Sequence, residues 1–366
     1  MIASARSFAV TAAALLLVFC AAQAPAATRV VRPGESIQAA IDAAQPGDTV
    51  AVAPGVYHEN LTIVAKDHIT LRGAGPTAGG TVLEPAATPR PSICTEFGEV
   101  NGICVTGEVD PVTRANGAPI TGTRVSGVLV RDFTHFGILV NNAIDTTIAD
   151  DEASHSGRWG IAGFIVSRVR YLRDVSHDNA QGGLYIADSP DADAVVLGNR
   201  AVRNDVEEGI GLFLRDASHG VVRDNELRAN CAGVWFLDGP LPGTTSDWVA
   251  RENVVRNNTA ACAPSEDIPV PISGFGIALA GTDRVVAHDN LVAANHPTGD
   301  TLFAGGIVVA STTAFGGADP TNNLVSDNRA RNNDPADLVY DGSGSGNRFI
   351  RNDCATSIPN GLCDQR

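Results

Sequence analysis

Three histidines, His135, His155 and His177, stand 20 and 22 residues apart and close the segments Phe133-Thr-His, Ala153-Ser-His and Val175-Ser-His. An imidazole titrates near neutral pH, so it can serve as acid, base or metal ligand. On a backbone that repeats at this interval, the three would stack in one outward column on consecutive coils. The same column continues through Arg228, Arg256 and Arg331. His177 is the preferred base, because Asp178 follows it and could hold its ring in place. Arg173 lies close by, and arginine pairs bidentately with carboxylates. His155 supports His177 one coil away, and His135 and Arg228 extend the stripe as substrate contacts. Two other uses of the column stay open. It could be a solvated ladder beside a bend, or its imidazoles could converge on one metal ion. Further along, Asp188, Asp191 and Asp193 fall within one turn, and Asp205, Glu207 and Glu208 within one corner. Hard oxygen ligands at such spacing suit Ca²⁺. Turn chemistry and surface charge account for them equally well.

The elements that must position these groups are short. Six asparagine pairs share a five-residue spacing: 199/204, 225/230, 253/258, 290/295, 328/333 and 347/352. A fixed polar pair on a longer, variable period is the mark of a solenoid. In its bends, amides can bond to like amides one coil above and below. A glycine followed by apolar residues recurs at 137, 183, 209, 233, 276 and 306, with inserts 259–275 and 296–305 before two of these strands. Sequential strands this short pair in parallel with the next coil, so the chain reads as a parallel β-helix. The column Thr134, Ser154, Ser176, Ala201, Leu227, Val255, Val292, Ala330 and Phe349 is small or apolar and should face inward. Extending the first asparagine position backward gives Asp132, Glu152 and Asp174. Ser36–Gln45 reads as an amphipathic helix capping the open end, with Ser36 as N-cap and the first strand at Thr49–Val52.

Residues 1–26 read as an export signal, with Arg6, the apolar run Val10–Ala22 and a small-residue cleavage site. The run is too short for a confident membrane span. The remainder holds 25 basic and 41 acidic residues, a net charge of −16 once Arg6 is removed from the formal −15. That balance argues against a nucleic-acid partner. Six cysteines remain, and an even count in an exported chain favours disulfides. Coil neighbours are sequence neighbours, so the expected pairs are 94–104, 231–262 and 354–363. The resulting organisation is signal 1–26, N-terminal cap 27–48, β-helix 49–352 and disulfide-closed cap 353–366, in a secreted, extracellular and monomeric protein.

The opening Val31-Arg-Pro-Gly-Glu-Ser-Ile-Gln-Ala-Ala-Ile-Asp-Ala-Ala-Gln-Pro-Gly-Asp-Thr-Val50, then Pro54-Gly-Val-Tyr-His-Glu-Asn-Leu61, resembles secreted bacterial right-handed parallel β-helix proteins of the pectate-lyase-like superfamily. With the coils, the resemblance covers about residues 29–352. It implies an all-β, right-handed parallel β-helix that binds and processes an extracellular polysaccharide as lyase, hydrolase or epimerase. It also admits a non-catalytic carbohydrate-binding or structural protein. The tyrosine-aspartate-proline-histidine signature of mannuronan epimerases and the arginine-rich motifs of pectate lyases are absent from the sequence. Several β-helix lyases bridge an acidic sugar through calcium, which makes Asp188, Asp191 and Asp193 the expected ligands. Trp159, Tyr171, Tyr185 and Trp235 fall on neighbouring coils. Tyr185 and Trp235 lie between inward apolar residues, so they should face out, where a sugar ring could stack on them.

Overall fold

The computed structural model describes residues 25–94, 99–239, 245–265 and 267–364. All but the last two residues of the expected export signal lie outside them. Three strands make one coil, as in Arg170–Leu172, Val175–His177 and Gly182–Ser189. Each pairs in parallel with its equivalent one coil on: Tyr171 opposite Val196, Ser176 opposite Ala201, Leu184 opposite Leu212. Repetition builds three long sheets of 12, 10 and 12 strands. Sheet I runs from Thr28–Val31 to Arg348–Ile350, sheet II from Gly55–His58 to Arg329–Arg331, and sheet III from Leu61–Val64 to Ser357–Ile358. The architecture is a right-handed parallel β-helix. Among the described residues no helix is long and apolar enough to cross a membrane.

The lumen is filled by one ladder of side chains per inward position. In sheet II the ladder is Val130, Ala153, Ser176, Ala201, Leu227, Val255, Val292 and Ala330. All are sealed from solvent. The expected column is therefore correct from Ser176 to Ala330, wrong before it, and wrong at Phe349, which pairs with Val325 in sheet I. Val130, Ala153 and Ser176 are spaced by 23 residues, whereas the histidines are spaced by 20 and 22. A one-residue slip exchanges the two faces of a strand. Ser154, not His155, therefore pairs with His177, and Thr134 lies exposed outside the ladder.

The asparagines occupy two bends of each coil, as their spacing implies. Asn199, Asn225, Asn253, Asn290, Asn328 and Asn352 form one buried ladder. Asn179, Asn204, Asn230, Asn258, Asn295 and Asn333 form the other. In each rung the backbone N–H and the side-chain Nδ2 of one residue both donate to Oδ1 on the next coil, as Asn199 does to Asn225 at 2.9 and 3.0 Å. Two expectations shift by one place. Asn347 belongs to a third bend, where it accepts from Asn323. At the front of the first ladder stand Asp174 and Asp151, rather than Glu152.

The N-terminal helix spans Ile37–Ala43, and Ser36 Oγ accepts from the Ala39 N–H at 3.1 Å. Its buried face, Ile37 and Ile41, closes the lumen. Lys66, the sole lysine, donates to the carbonyls of Ile41 and Ala44 at the helix end. The first strand is not Thr49–Val52 but Thr28–Val31, which pairs in parallel with it. The β-branched pair Val30-Val31 suits a strand, and Val31 reaches the core. All three expected disulfides form: Cys94–Cys104, Cys231–Cys262 and Cys354–Cys363.

Candidate active site

The outer face of sheet II carries the expected histidine and arginine column in altered form. His177 accompanies Ser154 and Arg131, and beyond it come Val202, Arg228 and Arg256. His155 has slipped into the adjoining bend with a φ of 52°, and its ring centroid lies 6.2 Å from that of His177. His135 is absent from this face altogether. Both nitrogens of His177 are engaged: Nδ1 lies 2.5 Å from Asp178 Oδ2, and Nε2 lies 3.2 Å from Glu152 Oε1. The Glu152 contact leads in raising its pKa, against the opposing effect of burial, and Asp178 adds to it. A histidine so held gives up its proton at a higher pH than a free imidazole does. Asp178 also accepts both arms of Arg203, at 2.8 and 2.7 Å. Arg173 does not join this group, because its guanidinium forks onto Asp150 at 2.7 Å on both arms. Arg228 pairs with Glu226, which also takes Arg200 and Arg256. The stripe is an ion-paired surface, not a bare basic one.

Asp188, near the end of the strand Gly182–Ser189, and Asp193, just before the sheet I strand Ala194–Leu197, both take left-handed backbone conformations, and Asp191 lies exposed between them. Among the described residues no three His, Cys, Asp or Glu side chains gather closely enough to hold a metal ion. The spacing in sequence does not become a ligand set here, because the bend turns successive side chains apart.

The concave site lies on the outer face of sheet III. Strand alternation puts Trp159, Tyr185, Phe213 and Trp235 there, as expected for Tyr185 and Trp235. They stack in a row, with centroids 4.6, 5.0 and 5.1 Å apart. The expectation of accessible rings fails, since Tyr185 and Trp235 are 5% and 2% exposed. The two inserts fold over them and contribute Ile268, Ile272, Phe275 and Phe303 to a second apolar cluster. Tyr171 faces the opposite way, into the lumen.

Between the inserts and the segment around Cys94 runs a groove made of three cavities with shared walls. They measure about 380, 100 and 240 Å³. Phe136, Arg158 and Phe164 join the first to the second, and Arg215, Asp267 and Ile268 join the second to the third. The groove crosses the strands from that of Cys104 to that of Trp235, five steps of ~4.8 Å, or roughly 24 Å. Two disulfides fix its sides. Cys94–Cys104 lines the first cavity, and Cys231–Cys262 ties the longer insert to the coil beneath. Gly209 makes room for that tie: at φ +61°, a Cβ there would lie 2.3 Å from Cys262 Sγ.

His135 belongs to this groove. It is buried, with Nδ1 on Asn101 at 2.9 Å and Nε2 on Glu99 at 3.0 Å. Arg158 reaches between the walls to Asp267, and its Nε donates to Gln181 at 2.9 Å. Arg215 lies over the Tyr185 ring at 5.6 Å. Glu208, 2% exposed, lies under the longer insert, where Ser265 Oγ donates to its Oε1. Burial pushes its pKa up to about 7, although Ser265, Arg158 and Arg215 act the other way. Burial likewise raises the Tyr185 hydroxyl, so that it stays protonated. Sequence reading passed over Arg158 and Arg215 and took Glu208 only as one of an acidic trio. No spacing marks these residues, because the insert that buries Glu208 is 57 positions away. A perturbed carboxyl in a cleft is a candidate for proton transfer.

Residues 137–315 match the family model described as right handed beta helix region. No curated protein matches the sequence. Among solved structures, the chain resembles the Azotobacter vinelandii mannuronan C-5 epimerase AlgE4 A-module, with TM-score 0.56, 18% identity, and 87% of this chain and 90% of that one covered. It also resembles an alginate lyase from Paenibacillus sp. str. FPU-7, with TM-score 0.58, 15% identity, and 89% and 99% covered. The Dettilon tailspike protein aligns with TM-score 0.51, 14% identity, and 88% and 68% covered. At these identities the likeness is one of fold, that of the right-handed parallel β-helix.

Proposed function

We propose that the groove on sheet III binds an acidic polysaccharide and transfers a proton at a uronate unit, as a lyase or epimerase does. Glu208 carries this reading. A carboxyl poised near pH 7 can remove the proton next to a sugar carboxylate and can also return one. The charge that develops on the sugar carboxylate must be met by fixed cations, and Arg158 and Arg215 line the same central cavity. Tyr185, protonated and in that cavity, is suited to giving a proton to the departing oxygen or to the opposite face of the ring. A groove roughly 24 Å long fits several units of a polymer rather than a single sugar. Three disulfides suit the oxidising compartment in which such a polymer is met. That two of the similar structures are named for an epimerase and a lyase supports the same class. The expected base His177 gives way to Glu208 because its nitrogens are occupied and none of the three cavities reaches it. Calcium on Asp188, Asp191 and Asp193 would require the bend to rearrange around the ion.

A second reading, glycan binding without turnover, is favoured by Arg158, which is already committed to Asp267 and Gln181. Incubation with a panel of uronans separates the two. Unsaturated-uronate absorbance reports lyase chemistry, and deuterium uptake at the ring carbon beside the carboxylate reports epimerase chemistry. Glu208→Gln should lower turnover by about 10²–10⁴-fold. Full turnover in that variant rules out Glu208. Binding of a uronan without absorbance or deuterium uptake establishes the second reading.

A further inference from the structure

The third cavity differs in character from the rest of the groove. Its walls are Trp235, Leu237, Ile268, Val270, Leu302 and Phe315, interrupted by a few polar groups that include Arg215. Phe315 and Val270 leave it open to solvent, and Phe315 is one of the few large apolar side chains exposed among the described residues. Two donors at this cavity are unsatisfied. Trp235 Nε1 and Arg215 Nε are sealed from water and have no hydrogen-bond partner among the described residues. Arg215 Nε lies 3.9 Å from Asp216 Oδ2, too far for a hydrogen bond. Buried donors left unmade are rare in folded proteins and mark places where an acceptor fits. The two stand on adjacent strands, where Phe213 pairs with Trp235 and Arg215 with Leu237. Both project from the outer face.

We propose that this cavity is a subsite for an aromatic acyl group carried as an ester on the polysaccharide, a specificity that rests on the function proposed above. An apolar cavity of about 150 Å³ accepts a benzene ring, so about 240 Å³ holds a ring together with its linking atoms. With a shift of the wall side chains that seal them, the ester carbonyl supplies the acceptor that Trp235 Nε1 and Arg215 Nε lack. The linkage then leads back past Arg215, Asp267 and Ile268 into the central cavity, where the sugar lies. A bare uronan offers nothing apolar to these walls, and a free carboxylate would face Asp238 and Asp267 beside them.

Calorimetric titration of the full chain with methyl cinnamate tests this without requiring any turnover. Saturable one-to-one binding is expected. Val270→Trp, which fills the cavity from a half-exposed position in the insert, should weaken it at least tenfold. Trp235→Phe keeps the ring stack and removes the donor. It should weaken binding by about three- to tenfold, the range of one neutral hydrogen bond. No saturable binding to the wild-type chain, or equal affinity in Val270→Trp, overturns the subsite. Equal affinity in Trp235→Phe overturns the ester. On a uronan with and without aromatic esters, the ester should lower KM in the wild type only. If no uronan is turned over while methyl cinnamate binds as described, the proposed reaction fails and the subsite stands.

Discussion

The N–H of Asp151 donates to Oδ1 of Asp174 at 3.0 Å, placing two carboxyl groups on consecutive coils where every later coil has an amide. Both are sealed from water, and Asp174 Oδ2 has no hydrogen-bond partner among the described residues. Burial raises both pKa values well above the usual carboxylate range, and the charge of Asp151 adds to the shift of Asp174. Folded, the pair holds protons that the unfolded chain releases above pH ~4. Stability therefore falls as pH rises from ~4 toward the folded pKa, by about 1.4 kcal/mol per pH unit for each group that stays protonated. Asp174→Asn supplies the missing N–H₂ donor and removes the ionisation. Its melting temperature should exceed wild type, and by more at pH 8 than at pH 4.5. An equal gain at both pH values, or a loss, would show that the carboxyl is not the misfit.

Val255 lies at the centre of the inward ladder of sheet II, between Leu227 and Val292. Val255→Asp puts an unpaired charge in a dry stack and should cost roughly 4 kcal/mol or more. Arg256→Ala, one residue along and exposed, should cost about 0.5 kcal/mol or less. Thermal melts of the two variants read the register directly: comparable losses would mean it is off by one.

The Cys231–Cys262 bond closes a separation of 31 residues. On the chain-entropy view this is worth about 3–4 kcal/mol. Its larger role is to hold the insert over Glu208. Cys262→Ser should lower the melting temperature and also bring the Glu208 limb of any pH–rate profile down toward the ordinary carboxylate range, because water gains entry. A lowered melting temperature with an unmoved limb would separate the bond from the site.

His177 gives a pH dependence of the same sign, but at this residue the charged form is the one the fold favours. Its pKa is raised in the fold by Glu152 and Asp178. Its stabilisation is complete below about pH 6.5 and is lost as pH climbs through the folded value. His177→Gln should therefore be destabilised relative to wild type at pH 5.5 and close to it well above neutrality. Turnover on a uronan should persist in this variant, and its abolition would return the chemistry to sheet II.

Much of this was legible in the residues. Amide ladders have to repeat in the chain because they repeat in space, so the asparagine pairs declared the coil. The inward column from Ser176 to Ala330 followed from the same period. Legibility failed where the period changed. Coils of 23 residues near Val130 lack the five-residue asparagine pair, and histidines at 20 and 22 drew a false line through them. The site was harder to see for a different reason. Glu208 and Ser265 meet only because an insert folds back over the sheet, and Arg158 meets Asp267 across 109 positions. Contacts between a periodic scaffold and an aperiodic flap leave no spacing to detect.

The second asparagine ladder also has a direction. Every Oδ1 accepts from the coil before it, beginning with the Ser156 N–H on Asn179 at 2.9 Å. The series ends on Asp337, whose Oδ1 accepts from the Asn333 N–H and Nδ2 at 3.1 and 3.0 Å. Oδ2 of Asp337 then takes the amide of Ala355 at 2.9 Å. A carboxylate can only accept, so it is a full stop in a sentence written in donors. The residue that completes the last rung thereby hands the row over to the terminal segment, and the ladder ends inside the molecule rather than at an open face.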